Sequence, residues 1–516
     1  LTGFWFLFLA LLGALSALFT FEHPLPSRSR ATSRRAILIL VSLALVFATG
    51  YGAMAAIRHL RFNSTAYDLA IHEQAIWSTL HGHPFATSLE VANYLADHFG
   101  PFLIVPMIPY TLYQSPLTLV VLQALVLGLG AIPVFRLAQR KLSSDLMAWA
   151  LAIAYLLYPA LGFLARFDFH LEIFAVPAFL AAFDALDRDR WGTATIWLLI
   201  PLLCKENLGL TVAAWGLYAL LVRRKPSWGV TWLLVGLAQF WFTSFLLIPA
   251  LRGQSSDTLM RYAWLGDSPP EMIETLLTSP GQVWARVTSA RRLFYLVQLL
   301  APIGFLSLLG PCELALAVPG LVVNLLSMSR PQSTIFFQYT VPVLPFVFIS
   351  AVWGTARLKR LLPSPWAWHL AGLALIPLSL TAFLIENPFR EQPPLPSLWE
   401  EMENAGAVRQ ALETIPAEST VVTTNAYAAH LAQRPGIYII GVPTQRDAPV
   451  DPDIVFLNLY DHRWIACEGY YAYLLQLDPG RYGIRFMSEG VLVLQRDSSS
   501  RDQFRDLIHN WSGCSG

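Results

Sequence analysis

Asp68 and His72 stand four residues apart in FNSTAYDLAIHEQAIW (62–77), and Glu73 and Gln74 follow at once. On a helix that spacing puts an acid and an imidazole on one face. Such a pair can take up and return a proton, or simply bridge across a wet surface. Thr65, three residues before Asp68, suits the opening of a capped helix. The plainer expectation is therefore that Asp68 caps the helix and pairs with His72. Related residue types recur at five other places. YLADHFGPF holds Asp97 and His98. ARFDFHLEIF holds Asp168, His170 and Glu172, the first and last again i and i+4. LLCKENLGL sets Lys205, Glu206 and Asn207 between two short apolar runs, where Lys205 and Glu206 would also suit an internal ion pair. LMRYAWLG offers Arg261 and Tyr262, and IFFQYTVP offers Gln338 and Tyr339. By ligand type, some of Asp68, His98, His170 and Glu206 suit a divalent metal. They are scattered, however, with no HExxH-like spacing, so no cofactor is certain.

The elements that must position these groups follow from composition. The chain has 516 residues, 55% hydrophobic and 13% charged, against about a quarter charged in a soluble domain. With repeated apolar runs near 20 residues, this is the pattern of a polytopic α-helical membrane protein. Spans are expected near 2–21, 36–57, 116–135, 146–163, 171–185, 191–204, 207–222, 228–250, 293–310, 312–328, 335–354 and 366–386. That is about twelve, and the runs 171–185, 191–204 and 207–222 are shorter than the ~20 residues a bilayer usually needs. The apolar run at the first residues lacks a basic n-region and an A-x-A site, and is expected to span. The net charge of +1 and the lack of a basic stripe with interleaved aromatics give no reason to expect nucleic acid as a partner. Cys204, Cys312, Cys467 and Cys514 are widely spaced and read neither as a zinc site nor as a disulfide framework.

Strict alternation from an inner 22–35 makes 136–145, 186–190, 223–227 and 355–365 inner as well. Those loops hold 15 Lys/Arg in 45 residues, whereas the outer segments before 387 hold 10 in more than twice that length. The positive-inside rule agrees with the alternation. Two long segments, 58–115 and 251–292, then face outward from a membrane domain covering 1–386. Residues 387–400 are a Pro-rich linker, and 401–516 read as a small α/β domain on the outer face, with strands near 419–424, 436–441, 453–459 and 490–496. Every polar cluster named above falls on the same outer side. Ionisable groups at membrane depth usually face a cavity and mark a site, so one shared polar cavity is expected there.

The order of the motifs resembles a bacterial and archaeal membrane family, domain of unknown function 2079, grouped with the GT-C glycosyltransferases. The stretches that carry it are YDLAIHEQAIWSTLHGHPF, DHFGPFLIVPMIPYTLYQSP, FDFHLEIFAVPAFLAAF, LLCKENLGL, LLTSPGQVWARV and QYTVPVLPF, and in the tail IPAESTVVTTNAYAAHLAQRPGIYII. They cover nearly the whole chain from residue 36 onward. What the resemblance implies is a GT-C-like multi-pass protein of the plasma membrane that takes a sugar from a polyprenyl phosphate and passes it to an acceptor on the extracytoplasmic face. Asp68 matches the carboxylate base of the first outer loop. Lys205 or Arg261 would neutralise the departing phosphate, and His98 and His170 would orient the acceptor, relay protons or bind a metal. The chain departs from the paired D-x-D or D-x-E of several such enzymes, because Leu69 and Ala70 follow Asp68.

The candidate catalytic residues are thus Asp68, His98 and Glu206. The candidate substrate-binding residues are His72, Gln74, Asp168, His170, Glu172, Lys205, Arg261, Tyr262 and Tyr339. The expected partners are a lipid-linked sugar donor, membrane lipid and, through the C-terminal domain, another protein. Two other functions fit the same residues: a non-catalytic scaffold that binds lipid or a partner complex, and a transporter using the short spans and Lys205–Glu206 as its path. Transport finds no support in duplicated halves.

Overall fold

The computed structural model describes residues 32–253, 257–361, 364–389, 401–441, 449 and 451–510. The expected span 2–21, the linker residues 390–400 and Cys514 lie outside them. The helices in chain order are α1 (Arg34–Leu60), α2 (Ile71–Leu80), α3 (Ile104–Leu112), α4 (Pro116–Leu129), α5 (Ala131–Leu142), α6 (Asp145–Leu156), α7 (Pro159–Arg166), α8 (Ala175–Leu186) and α9 (Trp191–Cys204). Then follow α10 (Leu208–Leu221), α11 (Pro226–Phe242), α12 (Ile248–Arg252), α13 (Pro269–Thr278), α14 (Pro280–Val287), α15 (Ala290–Leu300), α16 (Pro311–Leu314), α17 (Val318–Leu326), α18 (Leu344–Leu361) and α19 (Pro365–Glu386).

Among the described residues four helical stretches are long and apolar enough to cross a bilayer: Arg34–Leu60, Pro116–Leu142, Pro226–Arg252 and Trp366–Glu386. The α6–α7 pair makes a fifth if counted as one span, bent by 43°. The bend has a local cause. Tyr158 is extended (ψ 120) and Pro159 begins α7, because a residue before proline is pushed out of the helical region. Of the remaining expected spans within the described residues, 191–204 and 207–222 are the short helices α9 and α10, and the others are interrupted. Residues 171–174 form a 3₁₀ turn before α8 begins. The run 293–310 breaks after α15 where Gly304 and Phe305 take left-handed backbone (φ 61 and 56). The run 335–354 becomes α-helical only at Leu344. The expected count of about twelve is thus not confirmed: the described residues combine a few long helices with half-length and broken ones.

Helices α10 and α11 show how the bundle closes without a hydrophobic gain between apolar helices. Gly209 and Gly216 on α10 and Gly229 and Gly236 on α11 recur at seven-residue spacing and face one another. A Cβ on Gly216 would lie 2.2 Å from the Leu233 nitrogen, and one on Gly236 2.4 Å from the Gly209 oxygen. Small residues let backbones in lipid approach and gain dispersion contacts.

Beyond the membrane helices, α20 (Ala405–Glu413), α21 (Cys467–Leu474) and α22 (Arg501–His509) pack with a five-stranded sheet. Its strands are β1 (Val421–Thr424), β2 (Ile437–Ile440), β3 (Ile454–Asn458), β4 (Tyr482–Ser488) and β5 (Val491–Arg496), in the order β2-β1-β3-β5-β4. β1 pairs in parallel with β2 and β3, and β5 runs antiparallel between β3 and β4. Four of the five strands match the expected stretches. β4 was not expected, because as a half-exposed edge strand it alternates Ile484-Arg485-Phe486-Met487 without a solid apolar run. Cys467 is disulfide-bonded, which corrects the expectation that no cysteine would be.

The sheet docks directly on the segment after α1. The Asn425 side chain accepts the amide of Ala66 at 2.8 Å. His430 stacks on His59 at 4.0 Å and bonds its carbonyl oxygen at 2.9 Å. Arg463 donates to the carbonyl of Phe62 and the side chain of Asn63, and is itself gripped by the buried Asp461 at 2.7 Å. Ser88 donates to the carbonyl and accepts from the amide of Ile437, both at 2.8 Å. Gln74, a candidate substrate ligand, is used here: its amide donates to Ser88 at 2.9 Å and to the Arg434 carbonyl at 3.1 Å.

Two outcomes follow. Gly216→Leu forces α10 from α11 and costs at least the ~1–3 kcal/mol of an overpacked core, read as a lowered Tm in detergent. An unchanged Tm would show that the close approach is not needed. Arg463→Met removes the guanidinium that bridges Asp461 to Asn63 and the Phe62 carbonyl, so amide exchange at 62–70 rises while β3 and β5 stay protected. Equal exchange in both chains would remove Arg463 from the docking.

Candidate functional site

The site is built where α1 gives way to the segment before α2. Arg58, in the last turn of α1, is buried and forms an ion pair with the buried Asp168, while its guanidinium lies 4.7 Å over the Phe167 ring. Asp168 also accepts from the Thr65 amide at 2.9 Å and the Thr65 hydroxyl at 3.0 Å. That hydroxyl lies 2.9 Å from Asp68 as well. The second Asp68 oxygen meets His170 Nε2 at 2.9 Å, and His170 Nδ1 meets the Asp168 carbonyl, also at 2.9 Å. Gln123, midway along α4, fixes the same turn. Its amide donates to the carbonyls of Leu164, Phe167 and Asp168, and its oxygen accepts the His170 amide at 3.0 Å.

Three expectations about local pairing change here. Thr65 caps no backbone amide through its side chain, and residues 66–70 form a π-helical turn. His72 Nδ1 meets the backbone oxygen of Asp68 at 2.6 Å, not its carboxylate, and His72 Nε2 meets the Tyr94 hydroxyl at 3.1 Å. Asp168 and Glu172 do not share a face, because the chain between them is not α-helical: Asp168 turns to Arg58 and Glu172 to Lys205.

Next to this network lies a cavity of about 450 Å³. The short helices α8 and α9 run antiparallel, so the residues before α8 and after α9 meet. Lys205 Nζ donates to Glu172 at 2.7 Å. Glu206 holds His98 at 3.2 Å and the Phe99 amide at 3.2 Å. Lys205 and Glu206 are therefore not paired with each other. Arg261 and Tyr262 from the segment between α12 and α13 and Tyr339 close the cavity, with Arg261 5.8 Å from the centre of the Tyr339 ring. Tyr262 donates to the Val323 carbonyl at 3.0 Å. Apolar side chains of α11 and its extension (Phe240, Phe245, Ile248) line the other side. Three polar atoms on the wall, Asn207 Oδ1, Ser244 Oγ and Gln338 Oε1, are buried without a hydrogen-bond partner among the described residues. A buried polar atom left so costs about 1–3 kcal/mol, so a wall carrying three suits a polar guest.

The structure thus brings His98, Glu172, Lys205, Glu206, Arg261, Tyr262 and Tyr339 onto one cavity wall. Asp68, Asp168 and His170 form the adjoining network; His72 leans on Tyr94 beside it, and Gln74 belongs to the domain contact. Sequence reasoning missed Arg58, Gln123 and Ser244. Arg58 looked like an ordinary basic flank of a span. Gln123 had a signal, as the one amide in LTLVVLQALVLGL. Ser244 had none.

Burial alone would push the Asp68 carboxyl up, but the imidazole of His170 and its hydrogen bond outweigh burial and hold it below its ordinary range. His170 is raised correspondingly: burial opposes its charge, and Asp68 more than offsets it. His98 is also raised, because Asp97 and Glu206 together overcome burial and the repulsion of Lys205. A divalent metal does not fit this donor set. The imidazole and carboxylate donors are already spent on one another in separate pairs, Asp68–His170 and His98–Glu206. Among the described residues no three His, Cys, Asp or Glu converge. What remains is a cavity with two cations, an imidazole–carboxylate pair and an apolar flank, suited to the charged head of an amphiphile.

Residues 58–493 match the family model described as "Predicted membrane protein (DUF2079)". No protein of curated function matches the sequence. Among solved structures the chain is similar to ArnT from Cupriavidus metallidurans bound to undecaprenyl phosphate, at 13% identity and TM-score 0.51, over 91% of this chain and 99% of that one. It is similar to the apo form of the same protein at 14% identity and TM-score 0.53, over 90% and 98%. The likeness is one of fold. On the family match, the chain belongs to the DUF2079 family of predicted membrane proteins.

Proposed function

We propose that the protein transfers a sugar from a polyprenyl-phosphate donor to an acceptor at the extracytoplasmic face. The observation that carries this reading is the cavity wall on which Lys205 and Arg261 stand beside three buried polar atoms without partners and an apolar flank. A phosphate on an isoprenoid chain matches each part: cations for the phosphate, free polar atoms for the sugar and the apolar side for the first isoprenes. The similarity to an ArnT structure that holds undecaprenyl phosphate supports the same class of ligand. The disulfide at Cys467 supports an oxidising compartment for the C-terminal domain, since such bonds persist outside the cytosol.

In the proposed step an acceptor hydroxyl attacks the anomeric carbon. The bond from that carbon to the phosphate oxygen breaks, and the polyprenyl phosphate leaves with the electron pair. Lys205 and Arg261 neutralise the charge that develops on the phosphate. Asp68 takes the acceptor proton. Its side chain is 24% exposed, so water or an acceptor reaches it, and its depressed pKa keeps it ionised. His170 holds the carboxylate in place, and His98 with Glu206 orients the sugar on the cavity wall. A second reading, in which the scaffold binds polyprenyl phosphate without turnover, is favoured by one observation: both Asp68 oxygens are already hydrogen-bonded, and Asp68 is not on the cavity wall.

Asp68→Asn should cut transfer from a radiolabelled polyprenyl-phosphate sugar by about 10²–10⁴-fold, the usual worth of a general base, while lipid binding persists. Lys205→Gln should weaken both. If the unaltered protein consumes no lipid-phosphate sugar yet binds polyprenyl phosphate, the scaffold reading stands and the enzyme reading falls.

The Asp68–His170 pair also predicts a pH profile. Asp68 is depressed from its ordinary 3.8, so its contribution is complete above that pH and lost as pH falls through the depressed value. His170 is raised from its ordinary 6.5, so its contribution is complete below that pH and lost as pH rises through the raised value. The Tm difference between the unaltered chain and Asp68→Asn should therefore be largest between 3.8 and 6.5 and shrink on either side. A difference independent of pH would mean that the pair is not ionic.

A further inference from the structure

Along α8 and α9, on the side of the α4–α5 rod, runs a second cavity of about 490 Å³ whose basic end is the one remote from Lys205. Its character changes along its length. One end is lined by Val126, Ile132, Pro177, Ala181, Trp197 and Ile200, and the other by Arg136, Asp184, Arg188 and Arg190. The same gradient appears on every wall. From Val126 to Arg136 on α4–α5, and from Phe174, just before α8, to Asp184 on it, is ten residues, about 15 Å of helix. On α9, running the opposite way, Thr193 lies at the basic end and Ile200 at the apolar one.

The basic end carries more positive charge than it neutralises. Asp184 is buried and faces Arg140 at 2.6 Å, Arg136 at 3.4 Å and Arg188. Arg140 is shared with Asp187 at 3.2 Å. Arg190 is exposed and has no ion pair among the described residues. Four guanidiniums thus meet two carboxylates, and the excess sits where the apolar furrow opens. Basic loops at a membrane surface are common and attract anionic lipid diffusely. Here the charge is joined to an apolar channel about as long as a stretch of acyl chain, and the two together define one guest.

We propose that this furrow is a binding site for an anionic glycerophospholipid of the adjacent leaflet. The phosphodiester lies against Arg188, Arg190 and Arg136, and one acyl chain lies along Ala181, Pro177 and Trp197. The site is separate from the cavity at Lys205 and does not depend on sugar transfer.

The test uses the full-length protein in mild detergent, with native mass spectrometry after titration by phosphatidylglycerol or by phosphatidylcholine of the same chains. Phosphatidylglycerol should be retained in preference. Arg190→Gln, which breaks no ion pair, should cut that retention about five-fold, the worth of one interfacial charge. Ala181→Phe, which fills the furrow, should abolish it. Arg224→Gln, which removes an exposed charge in the loop between α10 and α11, should leave it unchanged. Equal retention of the two lipids, an Arg224→Gln effect as large as that of Arg190→Gln, or Ala181→Phe without effect would each overturn the proposal.

Discussion

Arg58 and Asp168 are both buried, and neither charge could be left there alone. Removing one partner of a buried pair leaves an uncompensated charge at a cost of about 3–5 kcal/mol. The pair therefore fixes two otherwise distant stretches of backbone, the exit of α1 and the turn after α7. Once that turn is fixed, Thr65 can share its hydroxyl between two carboxylates, His170 can span from the Asp168 carbonyl to Asp68, and Glu172 points the other way to Lys205. The network and the cavity wall are thus two consequences of one anchoring interaction. Gln123 adds rigidity without charge by satisfying three carbonyls and one amide of the same turn.

Short helices make the cavity. A full span on both sides of Lys205 would carry the chain past this level, whereas α8 and α9, with 12 and 14 residues, stop short. Irregular backbone at membrane depth is tolerated only where protein or a cavity surrounds it. The 3₁₀ turn at 171–174 and the extended Lys205 are found at such a place. The polar groups then meet in pairs of opposite charge, which is how several ionisable residues share a small volume in a low dielectric.

Much of this was legible in the sequence, and the failures have physical reasons. The long spans were readable because twenty apolar residues have few other uses, and four of the five strands because Val- and Ile-rich runs bounded by turn residues are distinctive. That polar residues would gather was readable from their rarity, and seven of the named candidates share the cavity wall. Partner choice was not readable. Local spacing paired Asp68 with His72, Asp168 with Glu172 and Lys205 with Glu206. In the fold His72 bonds the Asp68 carbonyl and Tyr94, and each of the others prefers a residue 33 to 110 positions away (Glu206, for one, takes His98), because tertiary geometry decides where a side chain points. The broken spans at 293–310 and 335–354 were hidden for a similar reason: hydropathy measures greasiness and is blind to backbone direction. The role of Arg58 was invisible, since a guanidinium at the end of a span is expected whether or not it has a task.

The contact between Arg463 and Asn63 joins residues 400 positions apart. At about 5–20 residues per second of ribosomal elongation, the stretch bearing Asp68 is made roughly 20 to 80 seconds before the arginine that clasps it. Through that interval the early helices must sit in the bilayer with one flank of the Asp68 segment uncovered. The order of biosynthesis thus makes the last quarter of the chain the closing piece of the segment after α1, and a ribosome stalled before residue 463 would leave that segment without this support.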